Sequence, residues 1–228
     1  MRSRWLALVV VFVCGVCADR LVTSAAPSAR SAPLTSVDFS GEITVRTDHG
    51  ATRYYRPRSV LVDGRTVLAG IGSTVFMVTR SGEVPVLPGL LKITAITVPV
   101  HGTAYVADSG RNQIYRLRGL GGNLETDILA GPKQGIGAPV ALAVSQDGGR
   151  AFVVNSKSRT VSIIDLHGHT PVTKIACGCA PTGLDRLVGN EVFRLTEPSN
   201  RPLWMLDASA RVPRVLFIPE DLAGSSQK

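Results

Sequence analysis

The sequence predicts an all-β fold in which four-stranded antiparallel sheets repeat along the chain. Four segments share one pattern: an apolar strand, a turn, a second strand that opens on an aromatic residue or Val, and a short polar turn. Their anchor residues, Val67, Tyr105, Phe152 and Phe193, are 38, 47 and 41 residues apart. A unit of about forty residues built only from strands cannot bury its own apolar faces, so neighbouring units must stack. The predicted architecture is a small β-propeller of four or five blades, or an open half-propeller arc.

The first 18 residues are predicted to be a secretory signal peptide. Arg2 and Arg4 give a basic start, and an apolar run of 13 residues extends from Trp5 to Cys17. This run is shorter than the roughly 20 residues that a membrane span needs, so a signal is favoured over an anchor. We therefore expect cleavage after Ala18, no membrane span in the mature chain, and export to the periplasm or the extracellular space.

The segment that follows, residues 19–35, is rich in Ser, Ala and Pro and has no hydrophobic periodicity. Such a segment cannot offset the conformational entropy lost on ordering, so a flexible leader is predicted there. The propeller domain is assigned to residues 36–219, with a strand pair expected within 36–57 as a partial fifth blade. Residues 220–228 are predicted to be a frayed tail.

Each of the four units divides into four short strands separated by turn residues. The strands are assigned from Val, Ile, Thr and aromatic enrichment, and the turns from Asp-Gly and Ser-Gly pairs that tolerate positive φ. The units begin at Ser59, Lys92, Pro139 and Thr182. The run Val140–Val144 is apolar throughout, which predicts that the first strand of a blade is covered on both faces.

Composition and charge exclude some classes of partner and activity. The formal net charge is +8, but the basic residues are scattered and aromatic residues make up only 5% of the chain. Because single-stranded nucleic acid is bound by basic grooves with stacking aromatics, no nucleic-acid partner is expected. The sequence has no nucleophile elbow, P-loop or dinucleotide-binding fingerprint, so no catalytic residue and no cofactor is assigned.

The turn after the second strand carries an arginine in three of the four units: Arg111, Arg159 and Arg201. Three guanidinium groups on one face of a propeller would suit a carboxylate or a phosphate. The competing interpretation is that polar turns tolerate arginine freely. As a hypothesis, these residues bind a small anionic ligand or a protein partner.

Cys177 and Cys179 are separated by a single residue, Gly178. Oxidising conditions outside the cytoplasm favour a disulfide between them, and the glycine supplies the backbone freedom that a small ring needs. Two free thiols, or a redox or metal function, are the alternatives. His167 and His169 flank a glycine in a predicted hairpin, where a solvated turn is favoured over a metal site, so no metal is assigned.

The third unit resembles the YVTN-type β-propeller repeat. That repeat has a Pro, an apolar strand, Ser-x-Asp-Gly, aromatic-Val-x-Asn, a polar turn and a Val-x-x-Ile-Asp strand. The residues that match it are Pro139, Ser145, Asp147, Gly148, Phe152, Val153, Asn155, Ile164 and Asp165. The second unit, with Tyr105-Val-Ala-Asp-Ser-Gly-Arg-Asn, is similar to the related NHL type, and the first and fourth units are degenerate.

The resemblance implies an extracytoplasmic propeller with a binding or scaffold role, and it transfers no catalytic residue. It implies that Asp147–Gly148 forms a turn, that Phe152 packs between blades and that Asp165 bonds a neighbouring turn. The alternative function is a metal-dependent hydrolase of the propeller lactonase or esterase kind, for which the inner strands offer essentially Asp63 and Asp185 as ligands. An open arc would need a partner to complete it, such as a second copy in a homodimer.

Overall fold

The structure is a computed structural model, and it consists almost entirely of antiparallel sheet. It describes residues 35–37, 43–46, 52–55, 59–61, 67–100, 102–187, 191–197 and 202–219. The predicted signal peptide, the leader up to residue 34 and the predicted tail lie outside these residues. Within the described residues, no helix is long and apolar enough to cross a membrane.

A three-stranded sheet comes first in the chain, and we name it the N-terminal sheet. Its strands, in spatial order, are β1 (Thr35–Val37), β2 (Ile43–Arg46) and β3 (Thr52–Tyr55). The sequence predicts a strand pair in this region as a partial fifth blade, and the structure contains three strands. The additional strand, β1, is three residues long, which is too short to produce an alternating pattern in the sequence.

Four four-stranded sheets follow, and in each of them the strands are adjacent in chain order. Sheet I contains β4 (Ser59–Leu61), β5 (Val67–Ile71), β6 (Thr74–Thr79) and β7 (Gly82–Leu87). Sheet II contains β8 (Ile93–Val100), β9 (Thr103–Asp108), β10 (Gln113–Arg118) and β11 (Glu125–Ala130). A single 3-10 turn, Pro132–Gln134, lies between sheets II and III.

The last two sheets have the same arrangement. Sheet III contains β12 (Pro139–Val144), β13 (Arg150–Asn155), β14 (Thr160–Asp165) and β15 (Thr173–Ala176). Sheet IV contains β16 (Asp185–Arg186), β17 (Val192–Arg194), β18 (Leu203–Asp207) and β19 (Arg214–Ile218). The four predicted units of four strands are therefore confirmed. Whether the series closes into a ring or forms an arc completed by a partner stays a prediction.

The sheets stack face to face, and a separate apolar cluster fills each space between neighbours. Leu68 of sheet I packs in one cluster with Val106 of sheet II, and Ile114 of sheet II packs in the next with Val153 of sheet III. Phe152 of sheet III contacts the last sheet, where its ring lies 5.5 Å from that of Phe193 between centroids. Each sheet therefore buries apolar side chains against a neighbour, as the repeat period predicts.

In sheets II and III the second strand is the most deeply buried one, which differs from the prediction that the first strand is covered on both faces. In β9 and β13 every residue after the first is buried, whereas in β12 buried positions are interspersed with half-buried ones. These two second strands have a strand on each side and a neighbouring sheet over each face. The first strands of sheets I, II and III lie at the sheet edge and contact one another from sheet to sheet.

Candidate functional site

The up-and-down connectivity sorts the loops onto two opposite faces of the domain. Turns that join the second and third strands lie at the same end as the segments that lead from one sheet to the next. We call this end the connector face, and its described segments are 72–73, 88–92, 109–112, 131–138, 156–159, 177–184 and 195–197. The remaining turns form the hairpin face, with described residues 80–81, 102, 119–124, 145–149, 166–172, 187, 191 and 208–213.

Backbone hydrogen bonds hold the connectors against the turns. Leu90 N–H donates to the Ser73 carbonyl at 2.8 Å, and Ser156 N–H donates to the Ala138 carbonyl at 3.1 Å. Cys177 N–H donates in the same way to the carbonyl of Arg159 at 2.8 Å. Turns and connectors therefore form one continuous hydrogen-bonded surface.

Arg111 and Arg159 both lie on the connector face, in the turns of sheets II and III that the sequence singles out. Both side chains are exposed, and neither forms an ion pair with a carboxylate among the described residues. Arg201 lies outside the described residues. The topology thus places two of the three predicted ligand-binding arginines at the same end of neighbouring sheets.

The two arginines do not occupy the same position in their turns. Arg111 is the third residue of 109–112, and Arg159 is the fourth residue of 156–159, where sheet II has Asn112. Asn112 and Arg159 both adopt positive φ, 56° and 51°. Asparagine tolerates this left-handed conformation, whereas an arginine there carries a steric cost. The structural counterpart of Arg111 in sheet III is Ser158.

Asp108, the last residue of β9, holds the connector that enters sheet II. Its buried carboxylate accepts hydrogen bonds from Leu91 N–H at 3.0 Å and Lys92 N–H at 2.9 Å. It also accepts from Gly110 N–H at 2.9 Å and Arg111 N–H at 3.3 Å in its own turn. Burial raises the pKa of Asp108, but these four backbone donors together lower it more, so the pKa lies below its ordinary value.

The corresponding residue of sheet III is Asn155. Together with Asn112, it bonds the backbone of the connector that enters sheet III. Asn155 Oδ1 accepts from Gly137 N–H at 2.9 Å, and Asn112 Oδ1 of the preceding sheet accepts from Ala138 N–H at 2.6 Å. The Asn155 amide donates in turn to the buried Ser162 hydroxyl at 2.9 Å. Two neutral side chains therefore hold this connector, where one carboxylate holds the previous one.

Cys177 and Cys179 also lie on the connector face, in the segment that enters sheet IV. The structure joins them in a disulfide with a Cα–Cα distance of 5.1 Å, and both side chains are buried. Trp204 lies against Gly178, where an added Cβ would come within 2.8 Å of the ring. The bonded pair lies beside the turn that presents Arg159, whose carbonyl accepts the hydrogen bond from Cys177 N–H.

Sequence reasoning missed three further cations of the connector face: Lys92, Lys133 and Lys157. All three are exposed, and none forms an ion pair among the described residues. The exposed carboxylate on the described segments of this face is that of Glu197, in the turn of sheet IV. Lys92 and Lys133 lie in connectors. In an up-and-down sheet the connector lies at the same end as the turn between the second and third strands, so applying this topology to the sequence would have placed both lysines on the face of the arginines.

Toward the hairpin face, several arginines at the ends of strands are paired with carboxylates. Arg186 contacts Glu191 at 3.0 Å, and Arg214 contacts Asp207 at 3.2 Å. Further ion pairs at or toward this face are Arg116–Asp127 and Arg118–Glu125. Arg211 is exposed at this face and forms no ion pair among the described residues, and one ion pair, Arg194–Asp185, lies at the connector end of sheet IV.

Two open cavities of about 360 and 340 Å³ adjoin on the hairpin face and share Asp147 and Arg150. Asp165 lines the first of them and accepts hydrogen bonds from His167 N–H, His169 N–H and both the N–H and hydroxyl of Thr170. The donor from His167 and those from Thr170 and His169 lower the pKa of Asp165 despite some desolvation. Asp165 thus bonds the turn that follows it, and the two histidines belong to that turn.

No group of three or more His, Cys, Asp or Glu side chains in the described part of the chain is arranged to hold a metal ion. Asp185, one of the two inner-strand carboxylates considered for a hydrolase, is bonded to Arg194 at 2.7 Å. The other, Asp63, lies outside the described residues.

No protein-family model and no curated protein sequence matches this chain. Solved structures do match it in fold. A chain of the nidogen/laminin complex aligns at 16% identity and a TM-score of 0.56, covering 74% of this chain and 68% of that chain. A catalytically inactive virginiamycin B lyase from Staphylococcus aureus with quinupristin aligns at 14% and 0.57, covering 81% and 68%.

A third similar structure is the β-propeller domain of Cps50 (Swd1) from Myceliophteria thermophila, at 13% identity and a TM-score of 0.57. It covers 83% of this chain and 68% of that chain. At identities this low, the likeness establishes the fold alone. Together with the four stacked four-stranded sheets, it shows that the chain is a β-propeller.

Proposed function

We propose that this chain is an exported, non-catalytic β-propeller module that binds an anionic partner, either a small ligand or an acidic protein surface, on its connector face. The observation that carries the proposal is that two exposed arginines lie in equivalent turns of neighbouring sheets. Neither Arg111 nor Arg159 is paired with a carboxylate among the described residues, whereas Arg186 and Arg214 near the hairpin face are. A guanidinium that no carboxylate occupies is available to a carboxylate or phosphate from outside.

Rigidity of the face supports a binding role. The turn of Arg111 is fixed by Asp108, and the carbonyl of Arg159 is fixed by Cys177 N–H. Side chains presented from a fixed backbone lose less conformational entropy on binding than side chains of a mobile loop. The positive φ of Arg159 is consistent with this role, because strained backbone conformations cluster at functional sites.

Export is the other part of the proposal, and it rests on the sequence. The basic start and the 13-residue apolar run from Trp5 to Cys17 are typical of a secretory signal. The similar propellers include a chain of a complex with laminin and a lyase, so the fold itself serves both binding and catalysis. The exposed cations of the connector face, which have no carboxylate partner among the described residues, favour binding.

The test is binding of two soluble anions, inorganic pyrophosphate by calorimetry and fluorescein-labelled poly-L-glutamate by anisotropy. The variant Arg111→Ser/Arg159→Asn gives each turn the residue that the other turn has at that position, so the backbone is preserved while both guanidiniums are removed. We expect the wild-type protein to bind at least one probe at low salt, and the double variant to bind it about tenfold more weakly.

The matched control is Arg211→Ser, which removes an exposed arginine from the hairpin face. This control should bind as the wild type does. Absence of binding to both probes, or an equal loss in the control, would contradict the proposal. Turnover of a lactone or ester that survives both variants would favour the hydrolase instead.

A further inference from the structure

We infer that the connector face docks on an anionic lipid surface, with Ile71 and Leu91 entering the headgroup region among the cations. This inference rests on the proposed function, because it uses the same connector-face cations, and it goes beyond it by assigning them a further anionic partner. The occupant is a bilayer that carries negatively charged headgroups.

Two large aliphatic side chains protrude from this face. Leu91 is 65% exposed in the connector between sheets I and II, and Ile71 is 41% exposed where β5 reaches the adjoining turn. The hydrogen bond from Leu90 N–H to Ser73 joins that connector to the turn after Ile71. The two side chains therefore project from neighbouring segments of one surface.

Leu91 is fixed in its exposed position by the backbone. Its N–H is held by Asp108, and its Cβ lies over Gly110, where any added Cβ would come within 2.4 Å. Glycine at this turn position is what allows the connector to approach so closely. An apolar side chain that is kept in water by a buried carboxylate gains free energy when a partner covers it.

Cations lie around the two protruding side chains, Leu91 and Ile71. Lys92 is next to Leu91 in the chain, and Arg111 follows the glycine that Leu91 covers. Lys133, Lys157 and Arg159 extend the positive charge over sheets II and III, with Glu197 as the exposed carboxylate on the described segments. Apolar side chains that are framed by unpaired Lys and Arg are the combination that binds anionic membranes.

The hairpin face has exposed aliphatic residues as well, and its charges are what separate it from the connector face. Val212 is 77% exposed there, and Leu187 is 37% exposed. The same face carries Asp147, Asp165 and Glu191, which an anionic surface would repel. A soluble acidic polymer would use the connector-face cations but gain nothing from Leu91, so the two protruding side chains favour a bilayer.

The experiment is co-sedimentation of the mature chain with phosphatidylcholine vesicles that contain either 30% phosphatidylglycerol, roughly the charge of an anionic membrane, or none. We expect binding only to the anionic vesicles, and weakening with added salt. Arg111→Ser/Arg159→Asn should lower the partition coefficient about 30-fold, and Leu91→Ser about tenfold.

The control is Val212→Ser, an exposed aliphatic residue of the hairpin face, which should leave partitioning unchanged. Poly-L-glutamate separates the two proposals, because Leu91→Ser should not change its binding whereas the arginine variant should. Binding to poly-L-glutamate without binding to anionic vesicles would overturn the lipid inference and leave the proposed function intact. Binding to neither of these, together with no binding of pyrophosphate, would overturn both proposals. An equal effect of Leu91→Ser and Val212→Ser on vesicle binding would overturn the lipid inference.

Discussion

Asp108 and Asp165 accept the same number of hydrogen bonds on opposite faces of the domain, but they differ in which segments of the chain they hold. Each carboxylate accepts four, but Asp108 is fully buried and bonds a connector 16 and 17 residues away as well as its own turn. Asp165 bonds only the hairpin that directly follows it. A carboxylate therefore organises the connector face across distant segments, whereas on the hairpin face it shapes one local turn.

This propeller keeps its connector face fixed although the turns on that face differ in sequence. In sheet III the corresponding connector is held by Asn155 and Asn112 in place of a carboxylate. The position at the end of the second strand is thus structural in both sheets, and the charge at that position is free to differ. The residues that the turns present to solvent, including Arg111 and Arg159, are the ones available for recognition.

The largest expected effect on the free energy of unfolding comes from removing each of the two carboxylates separately. Asp108→Ala leaves four backbone N–H groups without their acceptor, two of them in another segment, and should destabilise the domain by about 3 kcal/mol. Asp165→Ala should cost clearly less, because its donors are exposed and water can replace the carboxylate. Urea unfolding at pH 7 measures both variants, and equal losses would contradict the contrast between the faces.

The dependence of stability on pH is a second test of the role of Asp108 on the connector face. Because the folded-state pKa of Asp108 is lowered, its contribution is fully present above the unfolded value of about 3.9 and is lost as the pH falls below it. The stability difference between the wild type and Asp108→Asn should therefore be largest near pH 7 and shrink by pH 3. The comparison of urea midpoints at the two pH values tests this, and a difference that grows on acidification would have the wrong sign.

A smaller effect, of opposite direction, is expected from Arg159→Asn. Asparagine accepts the positive φ of 51° at lower steric cost than arginine, so the variant should be about 0.5 kcal/mol more stable. Arg159→Ala removes the same charge but keeps a residue that is strained in this conformation, and it should show no such gain. Thermal unfolding of the three proteins side by side distinguishes relief of backbone strain from loss of charge.

The sequence was sufficient to predict the fold because a propeller is a periodic object. The spacing of Val67, Tyr105, Phe152 and Phe193 and the turn residues between them predict four stacked sheets, and each anchor lies in the second strand of its sheet. Burial was harder to predict, since local apolarity in 140–144 does not reveal which strand has neighbours on every side. That depends on tertiary packing.

The candidate site was predictable only in part, for a geometric reason. Arg111 and Arg159 follow equivalent strands, so a repeat alignment places them on one face, although it does not show that they differ by one turn position. Lys92 lies 19 residues before Arg111 in the chain, and only the meander brings the two segments together. Likewise, nothing local in the sequence marks Asp108 as the acceptor for Leu91 and Lys92.

Hydrogen exchange with and without poly-L-glutamate tests most directly which face binds. We expect added protection in peptides that cover the connector-face segments 88–92, 109–112, 131–138 and 156–159. We expect no change in the hairpin-face segments 145–149 and 166–172. Protection confined to the hairpin-face segments would contradict the assignment of the connector face as the binding surface.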